Sequence, residues 1–170
     1  DCGAGIALQR SVYSYTHTAS RFGADNVTIE GNTFVDGGEI ADIWFYTNSY
    51  ADDAVVKDNT FSSTTAQYGL RAFDQSTKRL SVIDNSFDGP ETAIQLINTN
   101  GYIVDNNAIT GVEDATKPGI TVNGGHGDIT NNTLLDADGG IRIDSAQAPP
   151  APSTSLCTIA GNSYRTTSTC

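Results

Sequence analysis

The stretch Val27–Phe34, VTIEGNTF, carries the pattern that decides the architecture: apolar, any, apolar, any, any, Asn, any, apolar. It returns as AVVKDNTF from Ala54, LSVIDNSF from Leu80 and YIVDNNAI from Tyr102. Two more copies follow, GDITNNTL from Gly127 and CTIAGNSY from Cys157. Each places an asparagine at the same offset: Asn32, Asn59, Asn85, Asn107, Asn132 and Asn162, at intervals of 27, 26, 22, 25 and 30 residues. Self-similarity at such a period marks a stack of repeated coils.

Working outward, a short alternating segment lies between successive copies. GIALQ begins at Gly5, DIWFY at Asp42, GLRAF at Gly69, AIQLI at Ala93, GITVN at Gly119 and GIRID at Gly140. Period-two alternation puts Ile6, Ile43, Leu70, Ile94, Ile120 and Ile141 on one face, with Leu8, Phe45, Ala72, Leu96, Val122 and Ile143 beside them. Two strand ladders repeating every turn mean that the chain coils and each coil lays its strands on the last. The expected fold is all-β, a right-handed parallel β-helix (solenoid) of about six rungs, roughly 29 Å long at ~4.8 Å per rung. The repeated asparagines belong at a tight bend, where Asn tolerates left-handed backbone and stacked amides bond from rung to rung. Their reading is therefore structural.

The NVTIEGNTF-type rung resembles the repeats of the right-handed parallel β-helix proteins of the pectate-lyase-like superfold, over roughly residues 5–164. That resemblance implies the fold. It leaves the activity open, since the superfold includes polysaccharide lyases, hydrolases and epimerases as well as tailspikes, adhesins and structural modules.

The chain reads as a single domain, residues 1–170, of a size that buries its own core. Two pieces break the repeat: an inserted polar and aromatic loop at 10–25, and a Pro-rich loop at 145–155 whose Pro149, Pro150 and Pro152 exclude regular pairing. Residues 156–170 form the last rung and a C-terminal tail. Cys157 and Cys170 are candidates for a disulfide pinning that tail, worth roughly 2–4 kcal/mol. Cys157 as a buried thiol is the alternative, and Cys2 is left over, free or bonded to another molecule. No helix of the kind that caps such stacks is visible, so copies of the chain meeting through the stack ends are an expected partner.

The net charge is −11, with 20 Asp+Glu against 9 Lys+Arg. Such a surface repels nucleic acid and anionic membranes, and neither a nucleic-acid partner nor membrane insertion is expected. The sequence contains no methionine. A cleaved secretion signal is the expected explanation, with a fragment of a longer β-helix as the other, and the expected location is extracellular or cell-surface.

In the resembling enzymes the groove runs along the outward face of one sheet. Here that face carries Trp44, Tyr46, Arg71, Phe73, Gln95, Thr121, Asn123, Arg142 and Asp144. Aromatics beside Arg, Asn and Asp suit sugars, because rings stack on pyranose faces while polar groups fork to hydroxyls or carboxylates. The other reading makes the aromatics a satellite core beneath the 10–25 loop. GGHGD (124–128) and GIRID (140–144) are similar to the Gly-His-Gly and Arg-Ile-Lys signatures of polygalacturonases. The chain departs from that family where Asn98 stands for its Asp and Asp144 for its Lys, and no Asp-Asp pair lies between Asn98 and His126. Inverting hydrolysis needs two carboxylates, so no catalytic residue is assigned and His126 is read as a turn residue.

A lyase or epimerase would use Arg71 and Arg142 as neutraliser or base. No cofactor is expected; Ca²⁺ would have to draw on scattered groups such as Asp74 and Asp144, and no compact metal motif is present. Asn26 and Asn131 head glycosylation sequons. The expected function is a non-enzymatic extracellular structural or glycan-contacting module. The alternative is a small polysaccharide lyase or epimerase acting on an acidic polysaccharide, or a fragment of one.

Overall fold

The computed structural model describes residues 4–8, 25–36, 40–45, 51–73, 78–111, 117–137, 139–144 and 157–165. The first coil holds β1 (Ala4–Leu8), β2 (Thr28–Glu30) and β3 (Thr33–Val35), and the second β4 (Ala41–Phe45), β5 (Val55–Lys57) and β6 (Thr60–Ser62). Next come β7 (Tyr68–Phe73), β8 (Ser81–Ile83) and β9 (Ser86–Asp88), then β10 (Thr92–Asp105) and β11 (Ala108–Thr110). The last coils hold β12 (Ile120–Thr130) and β13 (Thr133–Leu135), then β14 (Ile141–Asp144), β15 (Cys157–Ala160) and β16 (Ser163–Arg165). Among the described residues all strand pairing is parallel, between a strand and its counterpart one coil away. The chain is a parallel β-helix.

Three ladders run up the stack, where the repeat suggested two. β3, β6, β9, β11, β13 and β16 form a separate 6-stranded sheet. The other two ladders are fused into one sheet, because β10 and β12 run unbroken across the corner that separates β1 from β2 and β4 from β5. The extra ladder comes from the Asn-containing motif itself. Its bend splits each copy into two strands, one before the asparagine and one after it.

The alternation places the apolar residues as expected. Ile43, Leu70, Ile94 and Ile120 stack in register and are fully buried. The second ladder contributes the column Ile29, Val56, Val82, Val104 and Ile129. The third begins with stacked rings, Phe34 on Phe61 at 4.9 Å and Phe61 on Phe87 at 4.4 Å, and continues with Ile109 and Leu134. Each fully buried side chain of this kind contributes roughly 1.5–3 kcal/mol.

The asparagines form a continuous ladder. The backbone N–H and Nδ2 of each donate to Oδ1 of the next, from Asn32 to Asn162, at 2.9–3.1 Å throughout. Nδ2 also donates to carbonyls of the preceding coil: Asn59 to Ile29, Asn85 to Val56, Asn107 to Val82, Asn132 to Val104 and Asn162 to Ile129. The structure corrects one detail. The left-handed residue is the one before the asparagine: Gly31, Asp58, Asp84, Asn106, Asn131 and Gly161, with φ between 52° and 68°. Only Gly, Asn and Asp enter that region at low cost, which explains why these three types alone fill the position.

One inward column is irregular. Tyr102 pairs in register with Gly127, and Gly127 with Cys157. The missing side chain at Gly127 leaves room for the buried Tyr102 ring, whose hydroxyl lies 3.2 Å from Cys157 Sγ. The expected bridge from Cys157 to Cys170 is therefore replaced by a free thiol turned to a phenol; Cys2 and Cys170 lie outside the described residues.

Burial, and after it the contact with Cys157, raises the Tyr102 pKa above its ordinary value. The neutral phenol thus stabilises the fold fully below the ordinary tyrosine pKa of about 10, and that contribution is lost as pH rises beyond it. Raising the pH from about 8 to about 11 should lower the melting temperature of the wild type more than that of Tyr102→Phe. Equal pH dependence in scanning calorimetry would remove the assignment.

Candidate functional site

The outward face of the first ladder gathers the candidate side chains in two adjacent columns. Register aligns Trp44, Arg71, Gln95, Thr121 and Arg142 in one, and Phe73, Ile97, Asn123 and Asp144 in the other. Strand alternation is what turns them outward, since their immediate neighbours Leu70, Ala72, Ile94 and Leu96 fill the core.

Arg71 is the centre of this face. Its guanidinium carbon lies 4.4 Å from the Phe73 ring centroid, 4.5 Å from that of Tyr68 and 5.8 Å from that of Trp44. Nε donates to Gln95 Oε1 at 2.7 Å, which fixes the plane of the fork. Burial lowers its pKa from the ordinary arginine value, yet an arginine stays charged at neutral pH. No ion pair joins it to a carboxylate among the described residues. The result is a half-buried cation held rigid by three aromatic rings and an amide.

Tyr68 was not legible as a member of this cage. Strict alternation would send it away from Arg71, but the strand breaks alternation with consecutive buried residues at Gly69 and Leu70. Gly69 is forced there, because a Cβ would meet the Phe87 ring at 2.6 Å.

The other candidates divide. Thr121 stands in the outward column but is only 1% exposed, so it is withdrawn from any ligand. Asn123 is half-buried, and its buried Oδ1 accepts no hydrogen bond among the described residues. Arg142 and Asp144 are exposed and pair with each other, Nε to Oδ2 at 3.0 Å. Tyr46 and Asp74 lie outside the described residues. No group of three or more His, Cys, Asp and Glu gathers to hold a metal ion among the described residues. Asn26 and Asn131 are both exposed, and Asn131 Nδ2 donates to Asp105 Oδ1 at 2.9 Å.

The GGHGD string has a packing explanation. His126 pairs with Asn100 on the long strand β12, away from both columns. A Cβ at Gly125 would meet the Thr99 carbonyl oxygen at 1.9 Å, and one at Gly127 the Tyr102 carbonyl oxygen at 2.2 Å. Those glycines answer to the coil beneath them.

The family model described as right handed beta helix region matches residues 13–109, more than half of the chain. The chain belongs to this family. No curated protein and no solved structure matches it. The right handed beta helix match takes in Trp44, Tyr68, Arg71, Phe73 and Gln95, and ends before Asn123, Arg142 and Asp144. The caged arginine thus lies within the family's coils. The helix family fixes the scaffold, and the chemistry has to be argued from this site.

Proposed function

We propose that this β-helix is an extracellular structural module, non-enzymatic, that contacts acidic polysaccharide through the face around Arg71. The observation that carries the reading is the caged guanidinium. Its charge has no described carboxylate to neutralise it, and its flanking rings offer apolar planes to a sugar. A uronate carboxylate would pair with the guanidinium, and Trp44 and Phe73 would lie against the sugar ring. Extracellular placement draws its support from the acidic composition and the exposed sequons at Asn26 and Asn131. The non-enzymatic reading draws support from Asp144. Among the described residues it is the one carboxylate in the two columns, and Arg142 already holds it.

The lyase or epimerase reading keeps one supporting observation. The rigidly held Arg71 guanidinium would neutralise the uronate carboxylate during proton abstraction, the electrostatic role that chemistry requires.

Titration calorimetry against a polyuronate and a neutral glucan tests both readings. The wild type should bind the polyuronate in a salt-sensitive manner and ignore the glucan. Arg71→Ala should weaken binding roughly tenfold or more, with Arg71→Lys only partly restoring it, since an ammonium lacks the planar fork. Arg142→Ala should change it little. Equal affinity in the wild type and Arg71→Ala would end the glycan reading. Release of unsaturated uronate by the wild type, absent in Arg71→Ala, would make the protein a lyase.

A further inference from the structure

An arginine guanidinium carries five N–H donors, and among the described residues Arg71 uses one of them. Nε donates to Gln95 Oε1 at 2.7 Å, while neither Nη group makes a hydrogen bond or an ion pair there. An arginine can fork a carboxylate along its Nε side or between its two Nη groups. Gln95 closes the first edge, so the second is the one left to a ligand. Gln95 lies directly opposite Arg71 in the parallel register, one coil on, and is half-buried.

We infer that Gln95 sets the selectivity of this face for anionic ligands: it orients the Arg71 fork and, being neutral, leaves the positive charge to the ligand. The inference rests on the glycan reading and adds to it the reason why Arg71 is available. A glutamate has nearly the shape of a glutamine, and its carboxylate would accept the same Nε hydrogen bond. It would also neutralise the guanidinium from within the face. Arg142 shows that outcome on the same sheet, where its Nε meets Asp144 Oδ2 at 3.0 Å on the same strand. The face therefore holds one arginine bonded to an amide and one bonded to a carboxylate. Only the first has its charge left to offer.

The ligand class narrows accordingly. Recognition needs a group that is anionic and accepts two parallel N–H bonds, as an unesterified uronate carboxylate does. A methyl-esterified uronan keeps the sugar rings and loses the charge. It should bind at least roughly tenfold more weakly than the free polyuronate.

Trp44 gives a local readout. It is the single tryptophan of the sequence, half-buried, and its ring centroid lies 5.8 Å from the Arg71 guanidinium carbon. Quenching of its fluorescence by iodide and by caesium reports the charge beside it, whether or not a glycan binds. Iodide should quench Gln95→Glu and Arg71→Ala less than the wild type, and caesium should quench them more. The affinity of Gln95→Glu for polyuronate should fall at least roughly tenfold. Gln95→Leu should keep the wild-type iodide response yet bind polyuronate about fivefold more weakly, because its fork is free to turn. Circular dichroism should match the wild type in all three. Unchanged affinity or unchanged quenching in Gln95→Glu would overturn the inference. Should that variant not fold, wild-type affinity in Gln95→Leu would overturn it equally. A wild type that ignores polyuronate ends the glycan reading, and the quenching of Gln95→Glu then decides by itself whether the neutrality of Gln95 leaves Arg71 its charge.

Discussion

Asn107→Ala should cost about 3–5 kcal/mol of stability, far more than a surface substitution. The side chain donates to the Val82 and Asp105 carbonyls at 2.9 and 3.0 Å and to Asn132 Oδ1 at 2.9 Å. Its Oδ1 accepts the backbone N–H and Nδ2 of Asn85, at 3.0 and 3.1 Å. Truncation leaves the buried Asn85 donors and the Val82 carbonyl facing a void with no water to replace the amide. Each stranded group costs about 1–3 kcal/mol. Asn107→Asp is nearly isosteric but turns an acceptor oxygen toward those carbonyls, so it should fail as well. Its defect should shrink in acid, where a protonated carboxyl donates once more. Urea denaturation measures all three proteins, and a midpoint for Asn107→Ala matching the wild type would refute the ladder's energetic role.

Gly127→Ala should be at least as damaging, above about 4 kcal/mol, or prevent folding altogether. The added Cβ would lie 2.2 Å from the Tyr102 carbonyl oxygen and 2.6 Å from two atoms of its ring. Backbone of a fully paired coil cannot retreat, and the ring is enclosed. The contrast is Gly31→Ala. There the φ is +67° with nothing within 4 Å of the new atom, so only left-handed strain remains, about 1–2 kcal/mol. Parallel denaturation curves should separate the two alanine variants clearly. Similar midpoints would mean that the coils shift to absorb a methyl group, against the close stacking described above.

These two sites also show what was readable in advance. Ile43, Leu70, Ile94 and Ile120 announced their column because period-two alternation survives wherever a strand has one buried face. Asn107 announced the ladder because its neighbours repeat at the same offset. The residue before each asparagine, always Gly, Asp or Asn, carried an equally clear sign of left-handed backbone that was assigned one place too late. The third ladder hid inside the Asn motif for the same reason.

Features that depend on contacts between coils were harder to read. Gly69 breaks alternation through the Phe87 ring, and so brings Tyr68 to Arg71. Thr121 is buried despite its outward place. Cys157 sits opposite Tyr102 because Gly127, far from both in sequence, makes room. Each is decided by a side chain one or two coils away, where local periodicity carries no information.

The ladder has a further consequence. Its links join residues 27, 26, 22, 25 and 30 apart in sequence, yet every link has the same length to within a few tenths of an ångström. Differences in coil length are therefore absorbed entirely at other corners, and none reaches the asparagine edge. The molecule separates a spine that keeps count of the coils from margins free to lengthen or shorten. Evolution, or an engineer, can lengthen or shorten a coil at those margins and leave the neighbouring asparagines in register.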